Sequence, residues 1–245
     1  AGGAALTPDD PTGRREYERA RVALQVSYRS TGSFLVSYSV DLSQGGLFLE
    51  TARPREVGTE LELRLTVPGA EQEVRLRGTV IWIREHGTPG EPPGMGIQFQ
   101  DVENSCGRLI DGLVRHFMGL RVLVASPVQR LRAQLGRHLR SAVSATIEEH
   151  ALDRPYPKDK PFDLVVVDLG NGDDKAFGLL REVLRGGEGT AVVGMSAQPQ
   201  VRQQALDRGA HEVIGSPPHL SELRSAAIRA LGRPMALVAE EMEDE

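Results

Sequence analysis

The sequence predicts two domains: an antiparallel six-stranded β-barrel, then a doubly wound α/β unit of the flavodoxin-like kind. Three observations carry this. Residues 22–100 alternate apolar and polar side chains on a period of two, in six short runs divided by turn residues and with no helical spacing between them. From residue 120 onward, compact apolar runs alternate with segments of helical spacing, the pattern of β/α crossovers beneath a parallel sheet. A chain of 245 residues is also long enough for two cores of ordinary size.

In the first half the expected strands are VALQVSY, SFLVSYSV, GLFLET, ELELRLTV, EVRLRGTVIWI and GMGIQFQ. The segments STG, DLSQGG, PREVG, PGAEQ and HGTPGEPPG separate them as turns. Short strands at this spacing fit a small closed barrel. Residues 103–118 then change to helical spacing. Leu109, Ile110, Leu113, Val114 and Phe117 share one face, which is expected to pack on the barrel and hold the two domains in a fixed relation. Gly119 ends this helix. The expected division is a disordered N-terminus at 1–12, the barrel with its helix at 13–119, the α/β unit at 120–233 and a frayed acidic tail at 234–245.

In the second half, LRVLVA is a strand, PVQRLRAQLGRHL a helix and SATIEEH a weak strand. FDLVVVDL is apolar on both faces, as a buried parallel strand should be. KAFGLLREVL, QVRQQALDRG and HLSELRSAAIRALG are helices that alternate with the strands TAVVGM and HEVIG. In the last helix Leu220, Leu223, Ala227 and Leu231 are expected to face the sheet, leaving Ser225, Ala226 and Arg229 to meet a partner.

Composition narrows the function. The formal net charge is −5, so there is no bulk footprint for a nucleic-acid polymer. No apolar run reaches membrane-spanning length, and no signal peptide is expected. One cysteine excludes an internal disulfide and a cysteine-based zinc site, and a cytoplasmic protein is expected. The six histidines show no metal-ligand spacing and none stands beside a nucleophile, so no enzyme is expected.

The most distinctive stretch is VDLSQGG, residues 40–46, between two expected strands. An acid, a hydroxyl and two glycines are more than a hairpin needs. Upstream, GRREYERARV carries Arg14, Arg15 and Arg19. Arginine forks pair bidentately with phosphate and stack on flat bases. Asp41 can accept from the N–H edge of a guanine, Ser43 can donate, and Gly45 with Gly46 lets a ligand approach the backbone. A plainer reading is also open. Arg15 and Arg19, interleaved with Glu16 and Glu18, can be solvated charge, and D-x-S-x-x-G can be an Asx-turn.

R-x-x-x-R at 15–19 followed after 21 residues by D-x-S-x-x-G at 41–46 resembles the PilZ domain, a six-stranded barrel that binds cyclic di-GMP. GTVIW, GMGIQF and the following helix resemble the family's later elements, and VSYRSTGSFLVSYSVDLSQGGLFLETARP resembles a myxobacterial-type subgroup. The resemblance implies that Arg15 and Arg19 grip phosphates and guanine faces, with Arg14 tuning stoichiometry. It implies that Asp41, Ser43, Gly45 and Gly46 form the other wall.

The second half resembles a response-regulator receiver domain. Asp168 stands at the phosphoacceptor position and Ser196 at the hydroxyl position. Ser126 and Pro127 replace the acidic pair that would hold Mg²⁺, and Ser216 replaces the lysine before Pro217. Without carboxylates and lysine, the charge on a transferring phosphoryl group is not neutralised. Asp168 and Ser196 therefore read as vestigial, and no metal is expected.

These readings point to a non-catalytic signalling adaptor. It would bind cyclic di-GMP and dock a signalling or motility protein through the pseudo-receiver half, with a homodimer admitted. The alternatives are a ligand-independent interaction scaffold and a response regulator phosphorylated at Asp168.

Overall fold

The computed structural model describes residues 22–70, 72–88, 91–100, 102–158, 161–186, 189–235 and 239–241. Two sheets organise them. The first half holds β1 (Val22–Ser27), α1 (Thr31–Val40), a single 3₁₀ turn (Leu42–Gln44), β2 (Gly46–Glu50), β3 (Glu60–Thr66), β4 (Val74–Arg84), β5 (Gly94–Gln100) and α2 (Val102–His116). The second half holds β6 (Leu120–Ala125), α3 (Gln129–Ala142), β7 (Ala145–His150), β8 (Leu164–Asp168), α4 (Asp174–Arg185), β9 (Ala191–Met195), α5 (Pro199–Asp207), β10 (Glu212–Ile214) and α6 (Leu220–Gly232). A last strand, β11 (Ala239–Glu241), returns to the first sheet.

The first sheet runs β11-β1-β3-β4-β5-β2 and is mixed. Alternation along β3 and β4 buries Leu61, Leu63, Leu65, Leu76 and Val80 on one face, as a period of two requires. Three expectations are corrected. β1 and β3 are parallel, Val22 beside Leu61, so the sheet is not wholly antiparallel. The sixth strand is not SFLVSYSV but β11, which pairs antiparallel with β1, Val22 opposite Glu241; this end of the tail is therefore not frayed. SFLVSYSV itself lies in helix α1.

The helix wins over the strand for a tertiary reason. Ser30 caps α1, its hydroxyl accepting from Ser33 N at 3.1 Å. Phe34 is fully buried in the first core, edge-on to Tyr28 with ring centroids 5.2 Å apart. Tyr28 in turn shares a 3.1 Å hydrogen bond with the buried Ser37, and burial drives its phenol well above the usual range. Leu35 and Tyr38 pack on the same core, whereas Val36 packs on the second. A segment apolar on nearly every side is stable as a helix when both sides are covered, and here they are. Burial outweighs the weak helix propensity of its valines and serines.

The second sheet runs β10-β9-β8-β6-β7, all parallel, which is the flavodoxin-like order with the first strand next to the second. α3 and α6 cover one face and α4 with α5 the other, giving two apolar layers. Among the described residues, the connection from β7 to β8 contains no helix, as its prolines dictate.

The two halves meet along α1 and α6, not through α2 as expected. Ser33 Oγ donates to Leu231 O at 2.5 Å, and a Cβ on Gly232 would sit 3.5 Å from the Ser37 backbone. Ser30 Oγ donates to Asp163 Oδ1 at 2.5 Å while Asp163 Oδ2 accepts from Arg121 N at 2.8 Å. α2 stays with the first core through Val102, Cys106 and Leu113, and Val114 faces solvent. Burial pushes the Cys106 thiol up to about 11, which leaves it unreactive near neutral pH.

Candidate functional site

The D-x-S-x-x-G turn lies where α1 ends and β2 begins. Asp41 N donates to Ser37 O at 2.9 Å, and Asp41 O accepts from Gln44 N at 3.1 Å and Gly46 N at 3.3 Å. The backbone of Asp41 therefore builds the turn. Its side chain makes no capping hydrogen bond and stays exposed, although nearby protein mass removes enough water to raise its carboxyl above the ordinary carboxylate range. Ser43 is exposed, and its hydroxyl reaches Ser39 O at only 3.4 Å. Gly45 adopts φ +82°, a conformation that side chains disfavour, and its carbonyl accepts from Phe99 N at 2.7 Å, fastening the turn to β5.

Beside this turn is a cavity of about 480 Å³. Asp41, Val40 and Phe48 line one side, Arg84 and Glu91 another, and Arg229 with Arg233 the far side. Phe48 and Trp82 stack with centroids 5.2 Å apart and planes 9° from parallel. The Arg84 guanidinium lies over both rings, 5.4 Å and 5.6 Å from their centroids. Glycines seat the pair. A Cβ on Gly96 would come within 2.1 Å of Trp82 Nε1, and one on Gly94 within 2.5 Å of Phe48 Cζ. Sequence reasoning took GMG as a strand and missed the aromatic platform. The signal was two glycines on alternate positions of a strand, both on the face that two large rings need.

Asp41, Ser43, Gly45 and Gly46 lie in one short turn. Arg14, Arg15 and Arg19 lie outside the described residues. They precede β1.

At the second candidate site, Asp168 is buried at the end of β8. Its Oδ2 accepts from the fully buried Ser126 Oγ at 2.8 Å, and its Oδ1 accepts from Gly170 N at 3.1 Å. Ser196 Oγ donates to Gly170 O at 2.7 Å and accepts from Gln198 N at 3.0 Å. Arg132 and Arg202 donate to the Ser126 and Ser196 carbonyls at 2.5 Å and 2.7 Å. The side chains of Asp168, Ser126 and Ser196 each have an internal partner. Among the described residues no group of three acidic, histidine or cysteine side chains is placed to hold a metal.

In α6, Leu223, Ala227 and Leu231 are buried as expected, but Leu220 is exposed and Ala226 is fully buried. Ala226 therefore cannot face an outside partner.

The PilZ domain family model matches residues 13–116. Residues 13–116 are a PilZ domain. The PilZ family is known for binding cyclic di-GMP and is typically non-enzymatic. Among curated proteins, none matches the sequence. Solved structures similar to the chain include a response regulator from Burkholderia pseudomallei with a phosphorylated aspartic acid and calcium (17% identity, 44% of this chain and 66% of that one, TM-score 0.39). Another is a response regulator from Thermotoga maritima (16% identity, 46% and 98%, TM-score 0.41). A third is NtrX from Brucella abortus in complex with ATP (23% identity, 46% and 27%, TM-score 0.42). For the α/β half the fold rests on its own strand order. No helix of the described residues is long and apolar enough to cross a membrane.

Proposed function

We propose that this protein is a non-catalytic signalling adaptor whose PilZ domain binds cyclic di-GMP between Arg14, Arg15 and Arg19 on one side and Asp41, Ser43, Gly45 and Gly46 on the other. The observation that carries this reading is an uncapped Asp41 carboxylate beside an open cavity, on the motif turn of a PilZ domain. The Phe48–Trp82 pair offers a flat face against which a guanine can rest. A raised Asp41 carboxyl gains from an N–H donor pair, since hydrogen bonds to the charged form offset its desolvation.

The second half acts by contact with a signalling or motility protein and not by phosphotransfer. Its Asp168 has both carboxylate oxygens engaged in hydrogen bonds. We divide the chain at residue 119, place the protein in the cytoplasm and assign it no metal.

Equilibrium dialysis with labelled cyclic di-GMP tests the ligand. Wild-type protein should retain it. Asp41→Ala should retain at least about tenfold less at equal concentration, because hydrogen bonds to charged groups contribute roughly 1.5–3 kcal/mol each. Equal retention by wild type and Asp41→Ala would remove the turn from the site.

A further inference from the structure

We propose that the dinucleotide site is shared between the two halves, with Arg229 on α6 supplying a phosphate contact from across the cavity. This rests on the PilZ reading above and names a residue of that same site outside the PilZ domain.

The cavity beside Asp41 is walled on its far side by Ile228, Arg229, Gly232 and Arg233, all in or just after α6. Three arginines, Arg84, Arg229 and Arg233, line it with two carboxylates, Asp41 and Glu91, so guanidinium forks are at hand for an anion. The three are not equally available. Arg84 is held by the ring stack, by Pro92 O at 3.1 Å and by Glu91 at 3.9 Å. Arg233 pairs with Glu212 at 3.0 Å and with Glu50 at 3.3 Å, bridging the halves. Arg229 pairs with Glu212 Oε2 at 3.0 Å, and its side chain is 53% exposed.

Glu212 decides which arginine can move. Its side chain is 3% exposed, and each oxygen holds one arginine: Oε2 holds Arg229 and Oε1 holds Arg233. A buried carboxylate stripped of both partners would be costly. If Arg229 swings to a phosphate, Arg233 still neutralises Glu212, whereas moving Arg233 would also break its pair with Glu50 across the halves, so Arg229 is the arginine recruited at the lower cost. A guanidinium fork suits a phosphodiester better than an ammonium does. Ligand binding would therefore exchange one of the two ion pairs that join Glu212 on β10 to the C-terminal end of α6, and α6 is the element on which α1 rests.

The test is calorimetric titration of the full chain with cyclic di-GMP, for wild type, Arg229→Gln, Arg229→Lys and Arg15→Ala. Arg229→Gln should bind about tenfold more weakly than wild type, with Arg229→Lys between them and the unfolding midpoint of both close to wild type. If Arg229→Gln melts early, Arg229→Lys decides, since it keeps a charge beside Glu212 but loses the fork: weaker binding supports the shared site, and unchanged affinity overturns it. Wild-type affinity in Arg229→Gln together with loss in Arg15→Ala would overturn the shared site and leave the PilZ reading standing. Absence of binding by wild type would overturn both.

Discussion

Two turns in this molecule use the same kinds of residue to opposite ends. Asp41, Ser43 and Gly45 follow α1; Asp168, Ser126, Ser196 and Gly170 gather at the ends of β6, β8 and β9. At the first, the backbone alone builds the turn, and the aspartate carboxylate makes no capping bond beside a cavity of about 480 Å³. At the second, the carboxylate accepts on both oxygens and both serine hydroxyls donate inward. Composition therefore does not distinguish an open turn from a closed one. What distinguishes them is whether hydrogen-bonding capacity is left over, since a buried polar group with its partners already in place gains little from a ligand.

The largest expected effect separates the two turns by ligand. Arg15→Ala should lower affinity for cyclic di-GMP by about ten- to a hundredfold, a loss of roughly 1.5–3 kcal/mol, measured by calorimetry. Asp168→Asn should leave that affinity at the wild-type value. A loss in Asp168→Asn would couple the second turn to the first and dissolve the contrast.

A second effect probes the seam between the halves. His211 Nδ1 accepts from Val192 N at 2.9 Å, and burial, with Arg29 and Arg233 adding to it, lowers its pKa from 6.5 to about 3. The folded state therefore keeps His211 neutral where the unfolded chain takes a proton. Stability is full above 6.5 and is lost as pH falls toward 3. Between pH 7 and pH 5 the loss from this group should be about 2 kcal/mol, read from denaturant midpoints. His211→Gln should flatten that part of the profile; an unchanged slope would remove His211 as its source.

A smaller effect tests the contact of α1 with α6. Ser33→Ala removes the hydroxyl that donates to Leu231 O and should cost about 1 kcal/mol in denaturant unfolding. Were residues 33–40 a strand of the barrel, that carbonyl would not be reached, and the substitution would be close to neutral. The smallest effect is an expected zero: incubation with acetyl phosphate and Mg²⁺ should add no mass to the protein. A phosphorylated species that vanishes in Asp168→Asn would show the second turn to be live.

Much of this was legible in the sequence, for reasons that differ by element. The parallel strands of the second half announced themselves through runs such as LVVVD, which no half-exposed strand would carry. The turn at Asp41 stood out as a candidate site because few turns need Asp, Ser and two glycines together. Residues 33–40 were misread because FLVSYSV fits a period of two, and only the presence of a second domain behind it makes a helix the better burial. β11 was missed because three residues of an acidic tail carry no strand signal of their own; their order comes from the free edge of β1. Arg229 was read as facing an outside partner, since nothing local reveals that α6 would end beside Asp41.

The most direct measurement is calorimetric titration of the purified 245-residue chain with cyclic di-GMP at physiological salt. Saturable heat with a defined stoichiometry is the predicted result, and it would make the turn at Asp41 one wall of a working site. A flat trace at high ligand concentration would contradict it and leave both turns structural.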